Sequence, residues 1–241
     1  MPPLSGHALT AAFDHAAATY DVLVGMNPGY HAHLRRSARR LGLPGGGRGL
    51  RVLDLGCGTG ASTAALAAVT PHAEIVAVDA SAGMLRRART KPWPPSVTFV
   101  HAPAERLAEA GVHGPFDAVF AAYLLRNVPN PGQLIDSVRE LLAPGGRLAV
   151  HEYTLSGRPS HLAVWKAVCG AVVRPAGTLC GDRDLYRHLS TSVARFDTAH
   201  RFAHRLARGG FTGVRVLPMP GWQTGIVHTF LAANPRTEAA R

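Results

Sequence analysis

At 241 residues with a formal charge of +11, the chain is long enough for one α/β domain with a small helical addition and too short for two comfortable domains. No apolar run is long enough to cross a membrane, and Met1 to Leu23 lacks the basic start and apolar middle of a signal peptide. A cytoplasmic protein, at most peripheral to a membrane, is therefore expected. Cys57, Cys169 and Cys180 show no C-x-x-C spacing, which argues against a disulfide frame or a zinc site, and Cys57 reads as a small packing residue. The charge comes almost wholly from arginine. Arg35, Arg36, Arg39 and Arg40 fall at helical spacing, as do Arg201, Arg205 and Arg208, so each set reads as a solvated helix face and nucleic acid is not an expected partner.

Ala8 to Ser37 reads as one or two helices, with Phe13, Ala17, Tyr20, Leu23 and Val24 at intervals of three and four. Pro44-Gly45-Gly46-Gly47 breaks that pattern, so residues 1–46 are expected to form an N-terminal helical cap hinged onto a core of residues 47–241. The cap could bring Tyr20, Asp21, Tyr30, His31 and His33 to a ligand. From Arg51 the periodicity alternates: strand 51–55, helix 60–69, strand 74–78, helix 81–89, strand 96–100, a short helix near 103–110, strand 116–121, helix 131–142 and strand 147–153. Such alternation predicts a doubly wound, mostly parallel sheet with right-handed crossovers. Helices follow at 160–173, carrying Trp165, at 186–196 and at 199–208, and segment 156–198 is expected to act as a lid. Strands at 213–217 and 225–232 complete seven. Ligands of such sheets sit outside the carboxyl ends of the strands, where Asp54, Asp79, Ala104, Tyr123 and Glu152 would share one rim.

The stretch Arg51 to Gly60, R-V-L-D-L-G-C-G-T-G, is the most informative. Its apolar run ends in Gly56, Gly58 and Gly60, residues that tolerate positive φ and let a ligand touch the main chain. The spacing departs from the dinucleotide fingerprint G-x-G-x-x-G, and Asp54 lies inside the end of the strand. A carboxylate there would repel a pyrophosphate but could accept hydrogen bonds from an amino acid's ammonium group. Asp79 closes the next apolar run, Ile75 to Val78, and could take both hydroxyls of a ribose across the crevice.

Asp54, the glycine triplet and Asp79, each on its expected element, resemble the class I S-adenosylmethionine methyltransferases. Further matches are Phe13-Asp14, Tyr20-Asp21, Val78-Asp79-Ala80-Ser81, Met84-Leu85, Leu125-Arg126-Asn127-Val128, Pro144 to Leu148, Glu152, Tyr186-x-x-Leu189-x-x-Ser192, Gly210-Phe211 and Gly225-Ile226-Val227. Taken nearly end to end, they resemble the family that C-methylates the quinol rings of menaquinone and ubiquinone precursors. The resemblance implies a Rossmann-like fold and S-adenosyl-L-methionine as cofactor, held by Tyr20, Asp54, Gly56, Gly58, Gly60, Asp79, Ala80, Met84, Ala104, Glu105 and Tyr123. It implies a small aromatic or prenylated quinol substrate and no metal, with a homodimer as one option for assembly. The chain departs from the family at Leu34, where a Trp is usual, at Pro103, where an Asp is usual, and after Val227, where His228 and Phe230 are placed differently.

Methyl transfer needs positioning, exclusion of water and an electron-rich nucleophile. Arg126 could stabilise a developing phenolate and orient a water, and Asn127 could orient a ring oxygen. His151, Glu152 and His228 are candidate proton acceptors. His151 and Glu152 alternate along one strand, so only one faces the site, and Glu152 matches the family. A histidine against a substrate hydroxyl would instead favour O-methylation. His200 and His204 lack the Glu of H-E-x-x-H and read as surface. The alternative function is a natural-product methyltransferase acting at carbon, oxygen or nitrogen of a small aromatic molecule; a binding protein without turnover is a third. A nucleic-acid methyltransferase would need an N-P-P-Y-like block where Tyr123 to Asn127 stands.

Overall fold

The computed structural model describes residues 4, 6–25, 27–173, 175, 178 and 183–236. Cys180 and the parts of the expected lid at 174, 176–177 and 179–182 lie outside the described residues. Seven strands form one sheet: β1 Arg51–Leu55, β2 Glu74–Asp79, β3 Val97–His101, β4 Phe116–Ala122, β5 Leu142–Tyr153, β6 Thr212–Pro218 and β7 Val227–Ala233. Their order is β3-β2-β1-β4-β5-β7-β6, parallel from β3 to β5, with β7 antiparallel to both neighbours. The central strands are covered on both faces, which is why they read as continuous apolar runs.

The helices are α1 Gly6–Gly25, α2 Tyr30–Arg40, α3 Ala61–Val69, α4 Ala82–Arg89, α5 Pro131–Leu141, α6 Pro159–Val168, α7 Arg183–Arg195 and α8 Ala199–Arg208. On one face, Leu34 and Ala38 of α2 and Leu66 of α3 pack on Val52, Phe120, Ala149 and Leu231. On the other, α5 and α8 press Leu134, Ile135, Val138, Phe202 and Leu206 onto Leu53, Val119, Leu148, Val150 and Phe230. Helix starts follow local chemistry: Ser81, Asn130 and Thr198 each accept a hydrogen bond from the backbone N–H three residues on.

Three expectations shift. The helix near 103–110 is reduced to a 3-10 turn at Ala108–Ala110, closed by left-handed Gly111. β5 begins at Leu142, because Leu142 already pairs with Phe116 before a register shift, so Pro144 to Gly146 extends the strand. Arg40 is not on a solvated face: it donates to the carbonyls of Leu217 and Pro218 and to Thr229, tying α2 to β6 and β7. Among the described residues no helix is long and apolar enough to cross a membrane.

Candidate active site

β1 and β4 lie side by side at the centre of the sheet, with β2 and β3 beyond one and β5, β7 and β6 beyond the other. This switch of direction opens a crevice beyond their carboxyl ends. The amides of Gly56 and Cys57 both donate to the Val78 carbonyl, at 2.8 and 2.9 Å, and so pin the turn to the end of β2. Asp79 completes the fastening: Oδ2 accepts from Gly58 N at 2.7 Å and Oδ1 from Ser81 N at 2.8 Å. Burial raises the Asp79 pKa, opposed by these two bonds. Gly58, at φ 55°, has open space where a Cβ would stand, whereas at Gly60, φ 90°, the Trp93 ring lies 2.7 Å from that point. Gly58 therefore leaves room in the crevice, while Gly60 admits a packing ring.

Asp54 is wholly buried. Its Oδ2 accepts from the hydroxyls of Ser62 and Thr63, at 2.8 and 2.6 Å, both on the first turn of α3. Its Oδ1 has no partner among the described residues. Desolvation raises its pKa to about 7 against those two hydrogen bonds, with a further push from Asp79. A buried carboxylate oxygen with nothing to bind, beside a glycine turn with open space, suits a ligand that carries an ammonium group.

α1 lies across the same turn. Asp14 Oδ1 accepts from Ser81 Oγ and from Gly83 N, each at 2.6 Å, supplementing the cap of α4. Asp21 accepts from Thr59 Oγ1 at 2.6 Å and pairs with Lys91 at 2.9 Å and Arg87 at 3.2 Å. Tyr20 lies near Tyr30 and Arg126. Met84 is buried, Ala80 and Ala104 are half-buried, and Glu105 is exposed. The Ala80 carbonyl bonds with His101 Nε2 at 2.9 Å. Cys57 is buried, and burial pushes its thiol pKa well up, as suits a packing residue.

A second cluster stands where β4 and β5 end. Tyr123 has φ 57°, a left-handed conformation rare outside glycine. Its ring lies between those of Tyr30 and Tyr153, at 5.7 and 4.9 Å, and Tyr153 in turn meets Trp165 of α6 at 5.0 Å. The Arg126 guanidinium lies 5.7 Å from the Tyr123 ring and 5.4 Å from that of Tyr153. Its Nη1 donates to Glu152 Oε1 at 2.5 Å and to the Tyr123 carbonyl at 3.0 Å. The side chains of this pair are 4% and 0% exposed, so it is a fully desolvated ion pair. Burial raises the Glu152 pKa, opposed by Arg126, and the arginine is held charged by its carboxylate partner against burial.

The expectation that Glu152 is a free proton acceptor thus meets a carboxylate committed to Arg126, with the Tyr153 amide also donating to Oε1 at 2.9 Å. His151 points the other way, bonded to Ser37 Oγ and Tyr123 OH at 2.8 and 2.9 Å; burial lowers its pKa to about 3. His228 pairs across the strands with Glu152, but its Nδ1 is bonded to Thr154 Oγ1 at 2.9 Å, and burial lowers its pKa to about 4. Asn127 Nδ2 donates to the Tyr123 carbonyl at 2.9 Å, and its Oδ1 lies 3.0 Å from His188 Nε2. Tyr153 and His188 are the parts that pattern reasoning missed; His188 sits inside the Tyr186-x-x-Leu189-x-x-Ser192 block and could have been found there. His200 and His204 are exposed on α8.

Residues 52–146 match a family model described as a methyltransferase domain. The sheet order and the glycine turn with its two carboxylates define a class I methyltransferase that uses S-adenosyl-L-methionine. The chain is 33% identical to the ubiquinone/menaquinone biosynthesis C-methyltransferase UbiE of Syntrophotalea carbinolica, over 87% of this chain and 88% of that one. It is 32% identical to the demethylmenaquinone methyltransferase of Clavibacter sepedonicus, over 86% and 83%. The chain belongs to this family of ubiquinone and menaquinone C-methyltransferases. Solved structures share the fold: the CurJ carbon methyltransferase matches with TM-score 0.59 and 20% identity, over 80% of this chain and 50% of that one. A putative O-methyltransferase from Nostoc punctiforme matches with TM-score 0.63 and 18% identity, over 92% and 60%.

Proposed function

We propose that this methyltransferase acts on a hydroxylated aromatic ring of the quinol type and methylates a ring carbon. The observation that carries the reading is the aromatic wall of Tyr30, Tyr123 and Tyr153 beside a buried arginine whose Nε has no partner among the described residues. A flat ring stacks on such a wall, and the free N–H meets an oxygen on it. The names of the curated relatives point to the same substrate class. A prenylated ring would be met at a membrane surface, with only peripheral contact.

The cofactor supplies a methyl group on a positively charged sulfur. Asp54 Oδ1 takes its ammonium group, Asp79 its ribose hydroxyls, and the main chain of Gly56 to Gly60 lines the space between. Tyr20, Ala80, Met84, Ala104 and Glu105 complete the surround, and the cap of residues 1–46 covers the turn through Asp14 and Asp21. Arg126, its charge fixed by Glu152, stabilises negative charge on the ring oxygen. Asn127 and Tyr123 fix the surroundings of that oxygen, and His228 borders Glu152 from the neighbouring strand.

The test is release of S-adenosylhomocysteine by purified protein given S-adenosylmethionine with a reduced demethylmenaquinone analogue, or with a panel of small phenols and indoles. Turnover of the quinol that collapses in R126A supports the reading. Turnover only of another aromatic moves the chain to natural-product chemistry, and no release with any acceptor removes the aromatic assignment.

A further inference from the structure

The hydrogen bonds around Asn127 settle the state of a histidine that the reading above leaves unused. The Tyr123 carbonyl, a pure acceptor, receives both Arg126 Nη1 and Asn127 Nδ2, at 3.0 and 2.9 Å. That fixes the amide: its nitrogen faces Tyr123 and its oxygen faces His188. Since Asn127 Oδ1 can only accept, His188 Nε2 must carry the hydrogen in the 3.0 Å contact between them. In neutral His188 the lone pair is therefore on Nδ1. This atom is buried and has no partner among the described residues, and the residue is 5% exposed. Arg126 Nε, on the guanidinium whose Nη1 meets the same carbonyl, is orphaned in the same way. One bare acceptor, joined to that carbonyl through Asn127, and one bare donor, on the guanidinium bonded to it, match the two hydrogen bonds of a hydroxyl group, which gives one and takes another.

We propose that His188 Nδ1 accepts the proton of the substrate's ring hydroxyl while Arg126 Nε–H holds the oxygen left behind. The inference rests on the hydroxylated-ring reading and assigns its proton acceptor. The O–H bond breaks, an Nδ1–H bond forms, and the electron pair stays on oxygen opposite the guanidinium. The pair is then delivered through the ring carbon to the methyl group. That carbon loses its hydrogen to solvent as a proton while the imidazolium returns the first proton to oxygen, so one proton is released per methyl transferred. The charged group that faces His188 is Arg126, which in turn faces Glu152 and the phenols of Tyr20, Tyr123 and Tyr153. Burial, then Arg126, lowers the His188 pKa to about 4, which keeps Nδ1 unprotonated until a hydroxyl arrives.

The experiment uses the full chain without methyl donor and 4-nitrophenol as probe, whose ionised form is read by absorbance. In the wild-type chain part of the proton stays inside the site, held by the phenolate beside it, so the ratio of ionised to neutral bound probe keeps a pH-independent floor as pH falls toward about 5. In H188Q, which keeps the N–H toward Asn127, and in H188A the proton must go to buffer, so the ratio of ionised to neutral probe climbs tenfold per pH unit. With donor present, both variants lose about 10²- to 10⁴-fold in turnover and regain it as pH rises toward the phenol range. An ionised fraction and a pH–rate profile identical in wild type and H188Q overturn the role of His188 and leave the function standing. A wild-type chain that neither binds 4-nitrophenol nor methylates any hydroxylated ring overturns both.

Discussion

Replacing Asp54 by Asn probes the cofactor corner without touching its shape. Moving a carboxyl from an ordinary 3.8 to about 7 corresponds to roughly 4 kcal/mol at about 1.4 kcal/mol per pH unit. Because the folded pKa is the higher, the folded chain holds the extra proton between those values. Its stability is therefore highest below the unfolded pKa, falls as pH rises through that window, and is level above it. In D54N the amide oxygen can still accept from Ser62 and Thr63, while its NH₂ occupies the position that Oδ1 leaves unpartnered, at a pH-independent cost of about 1–3 kcal/mol. Urea unfolding of the cofactor-free proteins should find the stability difference moving by about 2.7 kcal/mol in favour of D54N between pH 5 and pH 8. Calorimetry should show the wild type binding S-adenosylhomocysteine more tightly as pH rises toward 7, because its ammonium group selects ionised Asp54, and D54N binding weakly throughout. A stability difference between the two proteins that stays constant from pH 5 to pH 8 would refute the reasoning.

Asp79→Asn weakens the hold of the two backbone amides on that side chain and one ribose contact, so cofactor affinity should drop about 10- to 100-fold by calorimetry with little change in the sheet. Glu152→Gln leaves Arg126 buried and uncompensated; chemical denaturation should show a loss of about 3–5 kcal/mol, and the Arg126→Met, Glu152→Gln double variant should recover stability without recovering methyl transfer. Gly60→Ala forces a methyl group against the Trp93 ring at positive φ and should cost about 1–3 kcal/mol in the same assay, whereas Gly58→Ala, with open space around it, should weaken cofactor binding more than stability.

The cofactor half of the crevice was legible because its signals are local. The run Val52 to Leu55, the glycines and Asp79 each lie within a few residues of the turn they shape, and β1 spans the residues its apolar run predicts. The other half is built by contacts between distant segments. Nothing near Glu152 announces that Arg126 will occupy it, and nothing near His188 points to Asn127, because those pairs are made by the packing of α7 and the order of β4 and β5. Arg40 misled for a related reason: helical spacing marks a face but not what covers it, and β6 and β7 cover this one. The segment at 103–110 has the length of a helix yet only its last turn is coiled, where Gly111 closes it.

The two carboxylates of α1 also bear on how the chain assembles. Asp14 is held by residues 81 and 83, and Asp21 by residues 59, 87 and 91, so α1 precedes every group that fixes it. During synthesis it must wait until β1, α3, β2 and α4 have been made before it can settle, a long-range closure that comes late in folding. The turn that receives the cofactor is accordingly finished by a helix made before it and settled after it.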